Sequence, residues 1–323
     1  MRTSPAFSVV IPTYNQAEYL RVALKSVLVQ TFTDFEVVIV NNYSTDHTLQ
    51  VIQALPDPRV QVIDFRNHGV IGAGRNVGIK ASQAPYVAFL DSDDTWYSDK
   101  LQRIAEVIKH EPDVGLICHD QDLLRDGQVA AVSCYGAPDD FPGSMYDHLL
   151  FVCNPPATSA TVVARRYLDE VGYFSDDPGF MTVEDYDLFL KLAKVCHFRF
   201  VREILGSHNF HEASASANVE LHLRSGLAVL DKHCGDLQKS DRNYPRRVFK
   251  RLYASAFFAA ARQYQRRGDF KKPLVYYART LWTYPIHQRA YLGLGLLFAD
   301  RLLGRARRKR ITAAIWGLSW RWG

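Results

Sequence analysis

Three carboxylates stand within four residues, at Asp91, Asp93 and Asp94, directly after an apolar run that ends at Leu90. Carboxylates this close together repel one another unless a cation neutralises them. Oxygen ligands in such an arrangement suit Mg²⁺ or Mn²⁺, and these ions commonly share their coordination shell with substrate phosphates. This acidic tip indicates either a divalent-cation site or a solvated turn before the next helix.

A second acidic pair, Glu184 and Asp185, opens the segment Glu184-Asp185-Tyr186-Asp187-Leu188 before a predicted helix. A carboxylate held beside a reacting hydroxyl can take its proton, and such general-base assistance accelerates a reaction by about 10²–10⁴-fold. Acidic residues are also favoured in the first turn of any helix by the helix dipole. On these residues alone, a catalytic and a purely structural interpretation of the pair both stay open.

The elements around these acids predict an α/β fold with a mostly parallel sheet covered by helices. Short segments with the composition of buried strands alternate with segments whose apolar residues recur at helical spacing. Strands that are apolar on both faces are typical of parallel sheets, where ligands bind beyond the carboxyl ends of the strands. The predicted strands cover residues 7–11, 35–40, 60–64, 86–90 and 114–119, and the predicted helices cover residues 18–30, 45–55, 72–81 and 101–110.

The composition limits the classes of protein to consider. With 323 residues and a formal net charge of +5, the chain is long enough for one large domain and an appendage, and we expect no nucleic-acid partner. The five cysteines include no C-x-x-C pair, so we expect a reducing compartment and neither a zinc cage nor a disulfide framework. Because the first apolar run is cut by Pro12 and no apolar stretch of about 18 residues occurs, we expect a cytoplasmic protein.

Polar and glycine-rich motifs follow the predicted strands in a fixed order. The set resembles the family 2 glycosyltransferases of the GT-A fold, and the resemblance covers residues 7–216, about two-thirds of the chain. Its members are Ile11-Pro12-Thr13-Tyr14-Asn15, Asn41-Asn42-Tyr43-Ser44-Thr45-Asp46, residues 69–79 (GVIGAGRNVGI), the acidic tip, the acidic pair, and His211-x-x-Ser214-x-Ser216.

The resemblance implies an inverting, metal-dependent transfer of a sugar from a nucleoside-diphosphate donor to a hydroxyl of a glycan or glycolipid acceptor. UDP- and dTDP-sugars are the favoured donors, and Mn²⁺ or Mg²⁺ is the implied cofactor. Asp185 would be the general base, and Glu184 would orient Asp185 or hydrogen-bond the donor sugar or the acceptor. The implied nucleotide-sugar-binding residues are Pro12, Thr13, Tyr14, Asn41, Arg75 and Asp91, and the implied metal ligands are Asp93 and His211.

Two positions depart from the pattern of this family. Asn41 stands where the family usually has an aspartate that accepts a hydrogen bond from uracil. An amide oxygen can still accept from a base N–H, but its NH₂ group also donates, so the choice of base becomes open. The second departure is Gly72-Ala73-Gly74 before Arg75, where we expect the extra glycine to loosen the loop.

Other functions were weighed against this one. The glycines at positions 72, 74 and 78 do not have the G-x-G-x-x-G spacing and follow the third strand, which argues against a dinucleotide-binding oxidoreductase. A non-catalytic binding or scaffold protein with the same fold is the main alternative. Since loss of the metal aspartate or of the base would favour that alternative, the presence of Asp93 and Asp185 favours an enzyme.

Two segments between the motifs admit either a functional or a structural role. Trp96 follows the acidic tip, and its indole either packs against a sugar face or belongs to the core. Residues 154–159 (NPPATS) either line the acceptor cleft or form a turn shaped by their two prolines.

A domain boundary is expected near residue 216, which gives a glycosyltransferase domain over residues 1–216 and a helical region over residues 217–323. Residues 249–285 resemble one tetratricopeptide repeat, and since one repeat cannot bury its own apolar face, we expect a helix pair docked on the first domain. The basic tail carries Trp316, Trp320 and Trp322. It either contacts the cytoplasmic face of a membrane, as basic amphipathic segments do, or packs as a helix with a solvated basic side.

Overall fold

The computed structural model describes residues 4–136, 143–152, 155–210, 218–239 and 244–303. The predicted motif around His211 and the basic tail from residue 304 onward lie outside these residues. The chain divides into two compact units, Met1–Ser214 and Ala215–Gly323. Each unit has a hydrophobic core of its own.

A mixed sheet forms the centre of the first unit. Its strands, within the described residues, are β1 (Phe7–Thr13), β2 (Phe35–Asn41), β3 (Val60–Asp64), β4 (Tyr86–Phe89), β5 (Thr95–Trp96), β6 (Val114–Arg125), β7 (Gln128–Ser133), β8 (Thr161–Ala164) and β9 (His197–Asn209). They lie in the order β3-β2-β1-β4-β8-β6-β9-β5, with β7 paired to β6. The first four in this order are parallel, as is the pair β6 and β9, whereas β8, β7 and β5 run antiparallel to their partners.

Helices connect and cover these strands. They are α1 (Ala17–Leu28), α2 (Thr48–Gln53), α3 (Ile71–Ala81), α4 (Lys100–His110), the short α5 (Met145–Asp147), α6 (Arg165–Val171) and α7 (Glu184–Leu192). The predicted α/β alternation is therefore confirmed. The third predicted strand differs in burial, because β3 lies at the edge of the sheet and its residues are exposed or half-buried.

The alternation of side chains along β1 accounts for the helices on its two sides. Phe7, Val9 and Ile11 belong to the buried cluster that also contains apolar residues of α1 and α4. Val10 points to the opposite face, where a Cβ on Gly78 of α3 would come within 2.5 Å of its side chain. The glycine thus lets α3 approach the strand closely, which places the first turn of α3 at the carboxyl end of the sheet.

The start of α2 lies three residues later than predicted, at Thr48. Asp46 accepts hydrogen bonds from the backbone N–H and the hydroxyl of Thr48, which fixes the turn that leads into the helix. The preceding Ser44 and Thr45 are held instead by Asn15 at the end of β1. The loops after β1 and β2 are therefore joined to each other.

The second unit is helical in its described part. It contains α8 (Val219–Lys239), α9 (Arg246–Arg266), α10 (Lys271–Thr283) and α11 (Gln288–Leu303). Ala260, Ala261 and Tyr264 of α9 pack with Tyr276 and Tyr277 of α10 in a shared core. Among the residues described in either unit, no helix is both long enough and apolar enough to cross a bilayer.

Candidate functional site

The acidic tip follows β4 and is held to the end of β9. Asp94 is buried, and its carboxylate accepts from the backbone N–H of Asn209 at 2.9 Å and lies 3.0 Å from Nδ1 of His208. Burial of the His208 ring opposes protonation, but the hydrogen bond and charge of Asp94 prevail and raise the pKa of His208 to about 9. One of the three acids is thus neutralised by a histidine, which the sequence analysis did not anticipate.

Arg75, on the first turns of α3, lies between the acidic tip and the acidic pair. Its side chain is 4% exposed, its Nη2 donates to Asp91 at 2.5 Å and its Nη1 donates to Glu184 at 2.7 Å. Burial opposes the charge, yet Asp91 and Glu184 together raise the pKa of the guanidinium above its usual value. Arg75 therefore joins two motifs that are separated by 93 positions in sequence.

Gly72, three residues before Arg75, tightens this region. A Cβ on Gly72 would lie 2.7 Å from the carbonyl oxygen of Ser175 and 3.1 Å from the Glu184 side chain. Gly72 and Gly74 both belong to α3, so the prediction that the extra glycine loosens a loop is wrong. The missing side chain of Gly72 instead brings α3 close enough for Arg75 to reach Glu184.

Asp185 is half-buried in the first turn of α7. Its Oδ2 accepts from the Thr158 hydroxyl at 3.0 Å, and its Oδ1 accepts from the backbone N–H of Tyr186 at 2.7 Å. Burial raises the pKa of Asp185 above its ordinary value, while the charge of Arg75 and these two hydrogen bonds act against the rise. The carboxylate is thus oriented from two sides and has a proton affinity greater than that of an exposed aspartate.

Thr158 belongs to a turn, Thr158–Ala160, that also contacts the acidic tip. The hydroxyl of Ser159 accepts from the backbone N–H of Asp91 at 3.0 Å. Its carbonyl oxygen accepts from Trp96 Nε1 at 2.8 Å and from Lys100 Nζ at 2.9 Å. This turn forms a second connection between the tip and the base, and it lies in the segment predicted either to line the acceptor cleft or to form a proline turn.

Trp96 has the structural role that the sequence left open. The indole is 3% exposed, belongs to the hydrophobic core, and has the ammonium group of Lys100 3.6 Å from its ring centroid. Burial lowers the pKa of Lys100 well below its ordinary value. Trp96 therefore supports the Thr158–Ala160 turn through its hydrogen bond to Ser159, and its buried ring does not face a sugar.

The carboxyl ends of β1, β2 and β3 bring three polar side chains into one row. The strand register pairs Thr13 with Asn41 and Asn41 with Asp64. Nδ2 of Asn41 donates to Oδ1 of Asp64 at 2.7 Å, and Oδ1 of Asn41 accepts from the backbone N–H of Ser44 at 3.1 Å. The buried hydroxyl of Thr13 has no hydrogen-bond partner among the described residues, and the neighbouring Tyr14 is 53% exposed.

Asp64 was missed by the sequence analysis. The signal was available, because Asp64 ends its strand just as Asn41 ends the neighbouring one. The structure thus places a carboxylate next to the amide that replaces the usual aspartate. Pro12, Thr13, Tyr14 and Asn41 lie together at this part of the sheet edge. Arg75, Asp91, Glu184 and Asp185 form a charged cluster in which Arg75 and Glu184 are buried and the two aspartates are half-buried.

The donor atoms at the tip are of the type that Mg²⁺ and Mn²⁺ bind. Asp91 is engaged by Arg75 and Asp94 by His208, and Asp93 stands between them, half-buried. The described residues contain no group of three or more His, Cys, Asp or Glu side chains that could enclose a metal, and His211 lies outside them. Ions of this kind typically use one or two carboxylates and complete their shell with water and substrate phosphates, so the tip fits such a site.

Comparison with known proteins agrees with the motifs. The family model described as "Glycosyl transferase family 2" matches residues 8–122. An uncharacterised glycosyltransferase of Nostoc sp. is 33% identical over 245 residues, which cover 71% of this chain and 74% of the relative. The predicted family and enzyme class are confirmed by these matches.

Solved structures share the fold at low sequence identity. Staphylococcus aureus TarS 1–349 in complex with UDP-GlcNAc has a TM-score of 0.63 and 18% identity, covering 98% of this chain and 93% of that chain. The mannosyltransferase PcManGT from Pyrobaculum calidifontis in complex with GDP-Man and Mn²⁺ has a TM-score of 0.57 and 18% identity, covering 98% and 88%. These likenesses confirm the predicted GT-A fold class.

Proposed function

The chain belongs to glycosyl transferase family 2, and we propose that it transfers a sugar, with inversion, from a nucleoside-diphosphate donor to a hydroxyl of a glycan or glycolipid acceptor. The observation that carries this proposal is the pair of connections between Asp91 and the Glu184–Asp185 motif. Arg75 makes the first and the Thr158–Ala160 turn makes the second. They support a single site in which donor-binding and proton-accepting groups are held at a constant separation.

Asp185 is the proposed general base. The acceptor hydroxyl would lose its proton to this carboxylate as its oxygen attacks the anomeric carbon and the bond to the diphosphate breaks. Hydrogen bonds from Thr158 and the Tyr186 N–H hold the carboxylate in one orientation, which reduces the reorganisation needed during proton transfer. A pKa raised by burial makes this aspartate a better proton acceptor than an exposed one.

Glu184 and Arg75 act as positioning residues in this proposal. Glu184 is buried and bound to Arg75, so it holds the start of α7 in place next to the acidic tip. Arg75 is bound on both sides by carboxylates, and its positive charge also favours the ionised form of Asp185. The predicted contact of Arg75 with the nucleotide or its diphosphate remains a prediction.

Asp93, with His211, would hold Mn²⁺ or Mg²⁺. When bound, such an ion supplies Lewis-acid stabilisation of the charge that develops on the departing diphosphate. In this chain, the carboxylate oxygens at the acidic tip support the proposed metal site. A structure of the same fold also supports it, because PcManGT binds Mn²⁺ together with GDP-Man.

The base of the donor would be recognised along the row formed by Thr13, Asn41 and Asp64. Asn41 is buried, whereas Asp64 beside it is exposed and is held by Asn41 through its Oδ1, so we propose that Oδ2 of Asp64 accepts from a base N–H. The exposed ring of Tyr14 would stack on the base, and the unpartnered Thr13 hydroxyl would bind the ribose. TarS binds UDP-GlcNAc and PcManGT binds GDP-Man, and we retain UDP- and dTDP-sugars as the favoured donors.

Isothermal titration calorimetry of UDP, dTDP and GDP, each with and without Mn²⁺, tests the proposal. We expect one nucleotide to bind the wild type only with Mn²⁺, and Asp93→Ala to abolish that binding. Asp185→Asn serves as the matched control, because it changes a carboxylate of the same site that is proposed to contact neither the nucleotide nor the metal. If none of the nucleotides binds the wild type, the scaffold alternative replaces the enzymatic proposal.

A further inference from the structure

The last two described helices each have an apolar face that stays largely exposed in the described part of the chain. On α10, Val275, Ala278 and Trp282 recur at helical spacing opposite the buried Tyr277, and all three are exposed. On α11, Tyr291, Phe298 and Leu302 share one face and are exposed, although the Phe298 ring also meets the edge of Phe270. We name these six residues the outer surface. Trp282 is 91% exposed and Leu302 is 84% exposed, which is unusual for large apolar side chains on regular helices.

Both helices are apolar on their inner sides as well. Tyr276 and Tyr277 of α10 and Ala290 and Leu297 of α11 form the core of the second unit. A helix that is apolar around most of its circumference is normally covered on every side. The outer surface therefore requires an additional contact beyond the core of the unit.

Charge decides which contact fits. Lys271 and Arg279 are exposed on the same side of α10 as Val275 and Trp282, and Arg301 is exposed beside Leu302 on α11. Residues 271–323 contain eleven Lys or Arg residues and one acidic residue, Asp300. Five of these cations fall in residues 305–310, directly after α11. A second copy of the chain, or the basic segment that follows α11, would bring like charges together at this surface.

An anionic lipid surface matches both the apolar side chains and the positive charge of this region. Apolar side chains would enter the boundary between headgroups and acyl chains, a depth that tryptophan and tyrosine favour. The surrounding cations would lie among anionic headgroups, where each contributes about a fivefold gain in affinity. We infer that the outer surface of α10 and α11 is a docking surface for an anionic membrane.

Co-sedimentation of the full chain with vesicles tests this inference. Vesicles of phosphatidylcholine alone are compared with vesicles that contain phosphatidylglycerol, at about 0.1 M and about 0.5 M NaCl. We expect binding to the anionic vesicles only, and weaker binding at the higher salt concentration. A chain that sediments with neither kind of vesicle overturns the inference.

Two paired variants separate this surface from the basic tail, which they leave unchanged. Trp282→Gln with Leu302→Gln removes apolar contacts and should weaken binding by about tenfold or more. Lys271→Gln with Arg279→Gln removes two charges and should weaken it by about twentyfold to thirtyfold. Val132→Gln on β7, an exposed apolar residue of the first unit, is the matched control and should bind as the wild type does.

Two results contradict the inference. If both paired variants bind vesicles as the wild type does, the outer surface is not the lipid contact. If light scattering shows that the wild type is a dimer and that Trp282→Gln with Leu302→Gln is a monomer, the surface is an interface between copies of the chain. The inference is independent of the proposed reaction, because Asp185→Asn should bind vesicles normally even where sugar transfer is lost.

Discussion

The charged cluster around Arg75 and the outer surface of α10 and α11 depart from the usual distribution of residues in opposite directions. The cluster buries charged side chains, which proteins ordinarily leave in water. The outer surface exposes large apolar side chains, which proteins ordinarily bury. The first departure is compensated inside the fold, because Asp91 and Glu184 neutralise Arg75. The exposed apolar side chains of the outer surface have no such compensation among the described residues, so they indicate a contact with another molecule. The charged cluster indicates a site within the protein itself.

The strongest test of the charged cluster is Asp185→Asn. An amide cannot accept the acceptor's proton, so we expect the turnover number to fall by about 10²–10⁴-fold. Nucleotide affinity measured by calorimetry should be unchanged. Activity within a few-fold of the wild type would assign the base to another residue.

Arg75→Ala tests whether the cluster also stabilises the fold. The substitution leaves Glu184 buried without its partner, and breaking a buried ion pair costs about 3–5 kcal/mol. We expect that loss in the free energy of unfolding measured in urea. Arg21→Ala, which breaks the exposed pair with Glu18, is the control and should cost far less, because both side chains lie in solvent. Equal effects of the two substitutions would mean that burial of the cluster has no energetic consequence.

Asp64→Asn examines the exposed charge at the same edge of the sheet. A hydrogen bond to a charged group is worth about 1.5–3 kcal/mol, so the affinity for the preferred nucleotide should fall by about tenfold or more. The stability of the fold should change little, since Asp64 is exposed at the end of an edge strand. If nucleotide binding by Asp64→Asn matches that of the wild type, base recognition lies elsewhere along the row.

Thr158→Val tests the orientation of the base through the pH dependence of kcat/KM. Asp185 must be ionised to act, so activity is lost as the pH falls through its pKa, which burial raises. The Thr158 hydroxyl stabilises the ionised form, and its removal raises that pKa further. The acidic limb should therefore move upward by about one pH unit. Thr158→Ser retains the hydroxyl that donates to Asp185, so the acidic limb of its pH profile should match that of the wild type. If Thr158 had only a structural role, neither substitution would move this limb.

Trp282→Gln should have the smallest effect on the protein in solution. Because the indole is almost wholly exposed, the free energy of unfolding should change by less than about 0.5 kcal/mol. Trp96→Ala provides the contrast, since removing a core tryptophan costs about 3–5 kcal/mol. A large loss of stability in Trp282→Gln would show that this side chain is covered within the protein, and would remove the basis for the lipid contact.

The sequence predicted most of the elements of the first unit, because strand and helix patterns are local. The strands at residues 7–11, 35–40 and 86–90 and the helix at residues 72–81 agree closely with β1, β2, β4 and α3. The order of motifs at strand ends also identified the family. The role of the Thr158–Ala160 turn could not be predicted, because residues 154–159 have no periodicity that distinguishes a cleft lining from a proline turn.

What the sequence determined by itself was the fold class, the family and the set of candidate acids, since each depends on residue types at short, regular spacing. The tertiary structure alone decided which partners these acids have, and it added Asp64, which the sequence did not single out. Arg75 joins Asp91 to Glu184, Asp94 pairs with His208, and Asp64 lies beside Asn41. Such contacts depend on how strands are ordered in the sheet and how closely helices pack on it. They therefore follow from three-dimensional packing and cannot be read from spacing along the chain.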